Sequence, residues 1–235
     1  MRLYIIRHAD PDYPNNTITP QGHLEGAALA RRLAAIGLDR IYCSPMGRAL
    51  ETARYTREAV GLPLMIEDWL AELPDDWCMS RDPHNGLVAW DLPGEVIRAE
   101  APYPTHDTWH EHPFYQGLEL REKFERLCRD SDAFIARHGY ERDGGRYRIV
   151  RPNRERIAVF CHNGLGLTWL AHLLAMPLSL FWSAFWQAPS AVTTVLFDER
   201  SPEWAVPRCL GLGDIGHLHA AGLSPQPRGI QANWE

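Results

Sequence analysis

The chain has 235 residues, with 24 Lys+Arg against 30 Asp+Glu and a formal net charge of −6 with neutral histidine. A nucleic-acid binder normally carries a basic surplus or a basic stripe, so this balance argues against that class. Only one of the 24 cations is a lysine, Lys123, and no glycine-rich loop precedes it, which argues against Schiff-base chemistry and a P-loop phosphate grip. At 45% apolar and 23% charged residues, the composition is that of an ordinary globular domain. The five cysteines are odd in number and widely spread, without a C-x-x-C pair, and are expected to be reduced thiols in a cytoplasmic setting. The apolar run at residues 3–6 is too short for a signal peptide, and the stretch at 178–186 is interrupted by Ser183, so no membrane partner is expected.

In chain order, residues 2–6 form a β-rich run that suits a buried strand and leads straight into Arg7-His8. Thr19 and Pro20 supply an N-cap and a first helical residue; Leu29, Leu33 and Ile36 give that helix an apolar face, and Gly37 ends it. Residues 39–43 read as a second strand. Ser44-Pro45 repeats the cap-plus-proline start, and Met46, Ala49, Leu50, Ala53 and Val60 form a helical stripe. Residues 64–66 suit a third strand. From about 74 to 116 the periodicity disappears, and Trp77, Trp90 and Trp109 argue for a packed cap over disorder. Phe124, Leu127, Cys128, Ser131, Phe134, Ile135 and His138 then mark a long amphipathic helix. Residues 142–154 are polar and glycine-rich and read as a loop. A strand at 156–161, a helix carrying Leu167, Leu170, Ala171 and Leu174, strands at 191–197 and 205–210, and a surface arm after Leu223 complete the chain. Strands alternating with helices mean an α/β fold with a mostly parallel sheet, here one domain over 1–235 with an inserted cap.

Polar groups stand where such a sheet puts its site, beyond the carboxyl ends of strands. Arg7-His8 follows the first strand, and His162-Asn163-Gly164 follows the strand at 156–161 and opens a helix. Arg48 lies in the first turn of the helix after Ser44. A cation there opposes the helix dipole by roughly 0.3–1 kcal/mol, which hints that an anion normally sits at that terminus. Two arginines, two histidines and two helix N-termini on one edge describe a pocket for a tetrahedral oxyanion, and the planar guanidinium fork is suited to phosphate.

The run Ile5-Ile6-Arg7-His8-Ala9-Asp10 resembles the Arg-His-Gly signature of the histidine phosphatase superfamily, which includes cofactor-dependent phosphoglycerate mutases. Ile18-Thr19-Pro20-Gln21-Gly22, Ser44-Pro45-Met46-Gly47-Arg48-Ala49-Leu50-Glu51-Thr52-Ala53 and Val159-Phe160-Cys161-His162-Asn163-Gly164 are similar to further motifs of that family, in the family's order. The resemblance implies a three-layer α/β/α sandwich and a phosphomonoesterase acting through a phosphohistidine on a small phosphorylated metabolite. It implies His8 as the nucleophile, with Arg7, Arg48 and His162 holding the phosphoryl oxygens, and no metal or other cofactor. A glutamate soon after the third strand would protonate the leaving group. Glu72 is the best match, with Asp75 in reserve because the context after the acid, Pro74-Asp75-Asp76-Trp77, departs from the family's. Asn163 replaces a glycine but keeps its backbone N–H for phosphate. The family's pocket asparagine is matched by Asn15 or Asn16.

Between Leu73 and Glu119 there are nine carboxylates against two arginines, Arg81 and Arg98. This acidic, aromatic cap would repel a second anionic group, which disfavours a mutase-type phosphotransferase. A non-catalytic phosphate-binding protein on the same fold is the competing class. Three further patterns have bland readings: His84, His106, His110 and His112 as cap packing and not zinc ligands, Gly211-x-Gly213-x-x-Gly216 as a chance match with too little chain after it for a dinucleotide fold, and Phe181-Trp182-x-x-Phe185-Trp186 as core or the face of a homodimer.

Overall fold

The computed structural model describes residues 1–230. Its strands are β1 (Arg2–Arg7), β2 (Pro11–Asp12), β3 (Thr17–Ile18), β4 (Arg40–Cys43), β5 (Leu64–Ile66), β6 (Tyr140–Asp143), β7 (Arg146–Ile149), β8 (Arg156–Cys161), β9 (Val192–Asp198) and β10 (Trp204–Asp214). Its helices are α1 (Pro20–Ile36), α2 (Gly47–Val60), α3 (Gly94–Ile97), α4 (Leu120–Arg137), α5 (Asn163–Leu173), α6 (Leu178–Ala184) and α7 (Gly216–Ala220). Eight strands form one sheet in the order β5-β4-β8-β1-β9-β10-β7-β6, and β2 pairs with β3 beside it.

The four strands β5, β4, β8 and β1 run parallel, and β9, β10 and the β6–β7 hairpin extend the sheet antiparallel. The parallel strands are nearly continuous apolar runs because both of their faces are covered. Leu3 and Ile5 point into a core with Phe134 of α4 and Trp169 and Leu170 of α5. Tyr4 and Ile6 point the other way, onto Leu29 and Leu33 of α1 and Ala49 and Ala53 of α2. Helices on both faces complete the α/β/α layering. Register matters most for function. Arg7 lies opposite Cys161 across β1 and β8, and Cys43 opposite Phe160 across β4 and β8, so residues 8, 44 and 162 leave the sheet side by side.

The start of α1 follows the sequence: Thr19 accepts the Gly22 N–H at 3.1 Å, Pro20 is the first helical residue, and Gly37 closes the helix at φ 73°. The start of α2 differs. The helix begins at Gly47, with Met46 at its cap, and Ser44 Oγ accepts the Met46 N–H at 3.2 Å while also meeting a partner described below. The expected loop at 142–154 contains the hairpin of β6 and β7, which buries Tyr140 and Tyr147. With one side chain per strand buried and charged residues on the other face, its apolar alternation is too short to read.

Residues 74–116 hold α3 and short 3-10 turns, and Trp77, Met79, Ala89, Leu92, Ile97, Trp109 and Tyr115 are buried in the same core as α4 and α5. Eight of the nine carboxylates of this region are exposed; only Asp91 is not. Of its histidines, His84 and His112 pack on Phe114, and His110 packs beside Trp109. No group of three or more metal-capable side chains occurs among the described residues. Gly211, Gly213 and Gly216 end β10 and open α7, with no βαβ unit around them. Phe181 and Trp182 are core residues. Among the described residues no helix is long and apolar enough to cross a membrane. The expected surface arm runs back toward the carboxyl edge of β1 as far as it is described; its last part, 231–235, lies outside the described residues.

Candidate active site

His8 is 1% exposed and pinned at the end of β1: its N–H donates to Cys161 O at 2.9 Å and its carbonyl accepts from Ser190 at 3.0 Å. Its ring Nδ1 lies 2.8 Å from Ala9 O. A carbonyl can only accept, so Nδ1 carries the proton and Nε2 is left with its lone pair. Burial, then the Arg7 charge and then Arg48 push its pKa well below 6.5, so the ring is neutral at pH 7. The turn after it is tied to α2 by Thr52, which accepts the Ala9 N–H at 2.9 Å and donates to Arg48 O at 2.8 Å.

Arg7 is buried, and its Nη1 donates to Gln187 O at 2.6 Å and to Arg228 O at 3.1 Å. Arg48 reaches in from the first turn of α2, with Nη1 donating to Asn16 Oδ1 at 3.1 Å and its guanidinium 5.5 Å from the Tyr13 ring centre. Gly47 is required for this turn, because a Cβ there would meet Asn16 O at 2.2 Å. His162 is fully buried, with its ring centre 5.2 Å from that of His8 and its Nε2 2.8 Å from Ser44 Oγ. Burial, then His8 and the arginines, push the His162 pKa well below 6.5. Arg7 Nε, Arg48 Nε and His162 Nδ1 are all buried without a hydrogen-bond partner among the described residues. Orphaned buried polar atoms are rare and call for an explanation.

Glu72 follows β5 and reaches the N-terminus of α5, where Oε1 accepts from Leu165 N at 2.8 Å and Oε2 from Gly164 N at 3.3 Å; Leu73 N adds a 3.1 Å bond to Oε1. Gly164 makes the approach possible: a Cβ there would lie 2.9 Å from Glu72 Oε1 and 2.7 Å from the Trp90 ring. Burial raises the Glu72 pKa above 4.5 despite these bonds and the Arg48 charge. Arg7, Arg48, Glu72 and Asn163 line one cleft of about 220 Å³ with Tyr13, Val88, Trp90, Asp91 and Gly229.

The sequence candidates divide accordingly. Arg7, His8, Arg48, His162, Asn163 and Glu72 converge. Asp75 is exposed and does not line the cleft, so the reserve acid is set aside. Asn15 is also corrected. It is exposed and donates to Asp12 Oδ2 at 2.8 Å, while Asn16, at φ 49°, is the asparagine that reaches Arg48. Both asparagines are exposed on the β2–β3 turn, and only Asn16 bonds an arginine of the cleft. Sequence reasoning missed four contributors: Tyr13, Trp90, Asp91 and the tail. Arg228 pairs with the buried Asp10 at 2.6 Å, and its carbonyl receives both Arg7 and Trp186 Nε1. No periodicity marks an arm of this kind; its prolines are the only signal it carries.

Residues 3–82 match the family model of the histidine phosphatase superfamily (branch 1). The chain is 27% identical over 143 residues to a Hydrogenobacter thermophilus protein called "Putative phosphoserine phosphatase 2", covering 57% of this chain and 64%, under two thirds, of that relative. A phosphoserine phosphatase of Entamoeba histolytica, solved with 3-phosphoglyceric acid, superposes with a TM-score of 0.62 at 17% identity, over 92% of this chain and 98% of that one. A mycobacterial glucosyl-3-phosphoglycerate phosphatase solved with inorganic phosphate gives 0.57 at 17% identity, over 92% and 98%. Residues 3–82 thus match the histidine phosphatase superfamily, and the chain shares the fold of these phosphatases over nine-tenths of its length.

Proposed function

We propose that the protein is a metal-independent phosphomonoesterase acting through a phosphohistidine on a small phosphorylated metabolite. The observation that carries this is the set of three orphaned donors, Arg7 Nε, Arg48 Nε and His162 Nδ1, beside an imidazole whose tautomer leaves Nε2 free to attack. A tetrahedral oxyanion supplies acceptors to all three, and fixed donors around developing phosphoryl charge are the main source of catalysis in such transfers.

In this reading His8 Nε2 forms a bond to phosphorus as the P–O bond to the alcohol breaks. Glu72, whose pKa burial raises, gives its proton to the leaving oxygen. Water then attacks the phosphohistidine, the Glu72 carboxylate takes its proton, and the N–P bond breaks to release phosphate and restore His8. Residues 74–116 act as the cap that bounds the substrate's other half. A mutase-type transfer needs a cation for a second anionic group, and the charged side chain that the cap turns into the cleft is Asp91, so this reading is not favoured.

The test is hydrolysis of p-nitrophenyl phosphate by the wild type and by His8→Ala, with acid-quench trapping of a labelled phosphoenzyme. We expect turnover and an acid-labile label in the wild type, and a loss of about 10⁴-fold or more in the variant. Equal inertness of both proteins would favour the phosphate-binding alternative.

A further inference from the structure

Asp91 stands where two cavities meet. It lines the 220 Å³ cleft with Arg7 and Arg48, and it also lines an adjoining cavity of about 370 Å³ whose walls include Trp90, Trp182, Phe185 and Trp186. In that second cavity it is the charged lining residue. The other acid of the cleft, Glu72, is committed to the three backbone amides at Leu73, Gly164 and Leu165. Among the described residues no hydrogen bond or ion pair reaches the Asp91 carboxylate; burial, only partly offset by the Arg7 charge, raises its pKa to about 6. A desolvated carboxylate facing aromatic walls, beside a phosphate site, lacks a cation.

We infer that Asp91 is a specificity-determining residue that receives the ammonium group of the substrate, and that the preferred substrates are phosphomonoesters of short amino alcohols without a second anionic group. The inference rests on the phosphomonoesterase reading. The phosphate would occupy the arginine end of the cleft, and the chain carrying the nitrogen would pass Asp91 toward the tryptophans. Ammonium groups are held by a carboxylate and by aromatic faces together, and both are present. A substrate carboxylate in the same position would meet Asp91 as a like charge.

The experiment compares kcat/KM for 2-aminoethyl phosphate and choline phosphate with that for propyl phosphate and 3-phosphoglycerate, in the wild type and in Asp91→Asn. 2-Aminoethyl phosphate is expected to lead propyl phosphate by about 10- to 100-fold, as hydrogen bonds to charged groups do; choline phosphate, which has no N–H, should also lead it through charge and the aromatic faces, with 3-phosphoglycerate last. Asp91→Asn should collapse the aminoalkyl-to-propyl ratio toward one, and Asp91→Lys should invert the order in favour of 3-phosphoglycerate. A wild type that cleaves p-nitrophenyl phosphate but shows no amine preference, or whose preference survives Asp91→Asn, overturns the assignment of Asp91 and leaves the phosphatase reading intact. A wild type that cleaves no phosphomonoester overturns both.

Discussion

At the carboxyl edge of the parallel strands, Arg7, His8, Arg48 and His162 are all buried and held by backbone or side-chain bonds to other elements. Across the cleft, the cap offers a half-buried carboxylate with no such partner among the described residues, and a tryptophan from a 3-10 turn. The strand edge is determined by register and helix starts, which tolerate little variation, because shifting β1 by one residue against β8 would turn His8 away from His162. The cap is aperiodic chain packed on a shared apolar core, and its exposed residues can change without moving the edge. Under the proposed function the contrast makes chemistry and selectivity separable: one region would set what is done to a phosphate, the other what the phosphate is attached to.

Perturbing the strand edge should hurt every substrate alike. Arg48→Ala is expected to lower kcat/KM by about 10³-fold for aryl and alkyl phosphates equally, as loss of an oxyanion donor does; steady-state kinetics on both classes checks this, and a substrate-selective loss would blur the division. Glu72→Gln should cost about 10²-fold with alkyl phosphates and far less with p-nitrophenyl phosphate, whose leaving group needs no proton. The same variant tests the pH dependence. In the proposed mechanism His8 must be neutral, and its pKa lies well below 6.5, so the acid limb falls well below that value. As the proposed acid Glu72 must be protonated, and its pKa is raised, so the rate is expected to fall as pH rises through that raised pKa. In Glu72→Gln the alkaline limb should flatten while the acid limb stays, which a kcat–pH profile on one substrate will read.

Two smaller effects probe the seam between the regions. Gly164→Ala pushes a methyl against both Glu72 and Trp90 and should lower kcat for alkyl phosphates by about tenfold through misplacement of the acid, with little change in the urea midpoint. Arg228→Ala removes the charge paired with Asp10 but keeps the carbonyl that receives Arg7. It should raise KM by about two- to fivefold and leave kcat nearly unchanged, as for a positioning contact whose side chain is partly exposed.

Much of the molecule was legible before folding. Thr19-Pro20 and Gly37 bounded α1 because caps are local chemistry, and β1 and β8 were visible because strands buried on both faces are continuous apolar runs. Arg7, His8, Arg48 and His162 were legible because each follows a strand or opens a helix at a fixed offset. The β6–β7 hairpin escaped because its buried face is one tyrosine per strand. Asn15 and Asn16 could not be separated, since the choice depends on a turn geometry fixed by Arg48 and Gly47.

By itself the sequence determined the acidic balance, the alternation of the parallel strands with the long helices, and which residues would stand at the sheet's carboxyl edge. Its charge count made the whole cap look repulsive to anions. The tertiary structure reduced that to Asp91, because eight of the nine carboxylates face solvent and are screened there. The tertiary structure alone also brought Arg228 back to Asp10 across 218 residues and set Trp186 beside the cleft. Both depend on how distant segments pack, and neither leaves a local pattern in the chain.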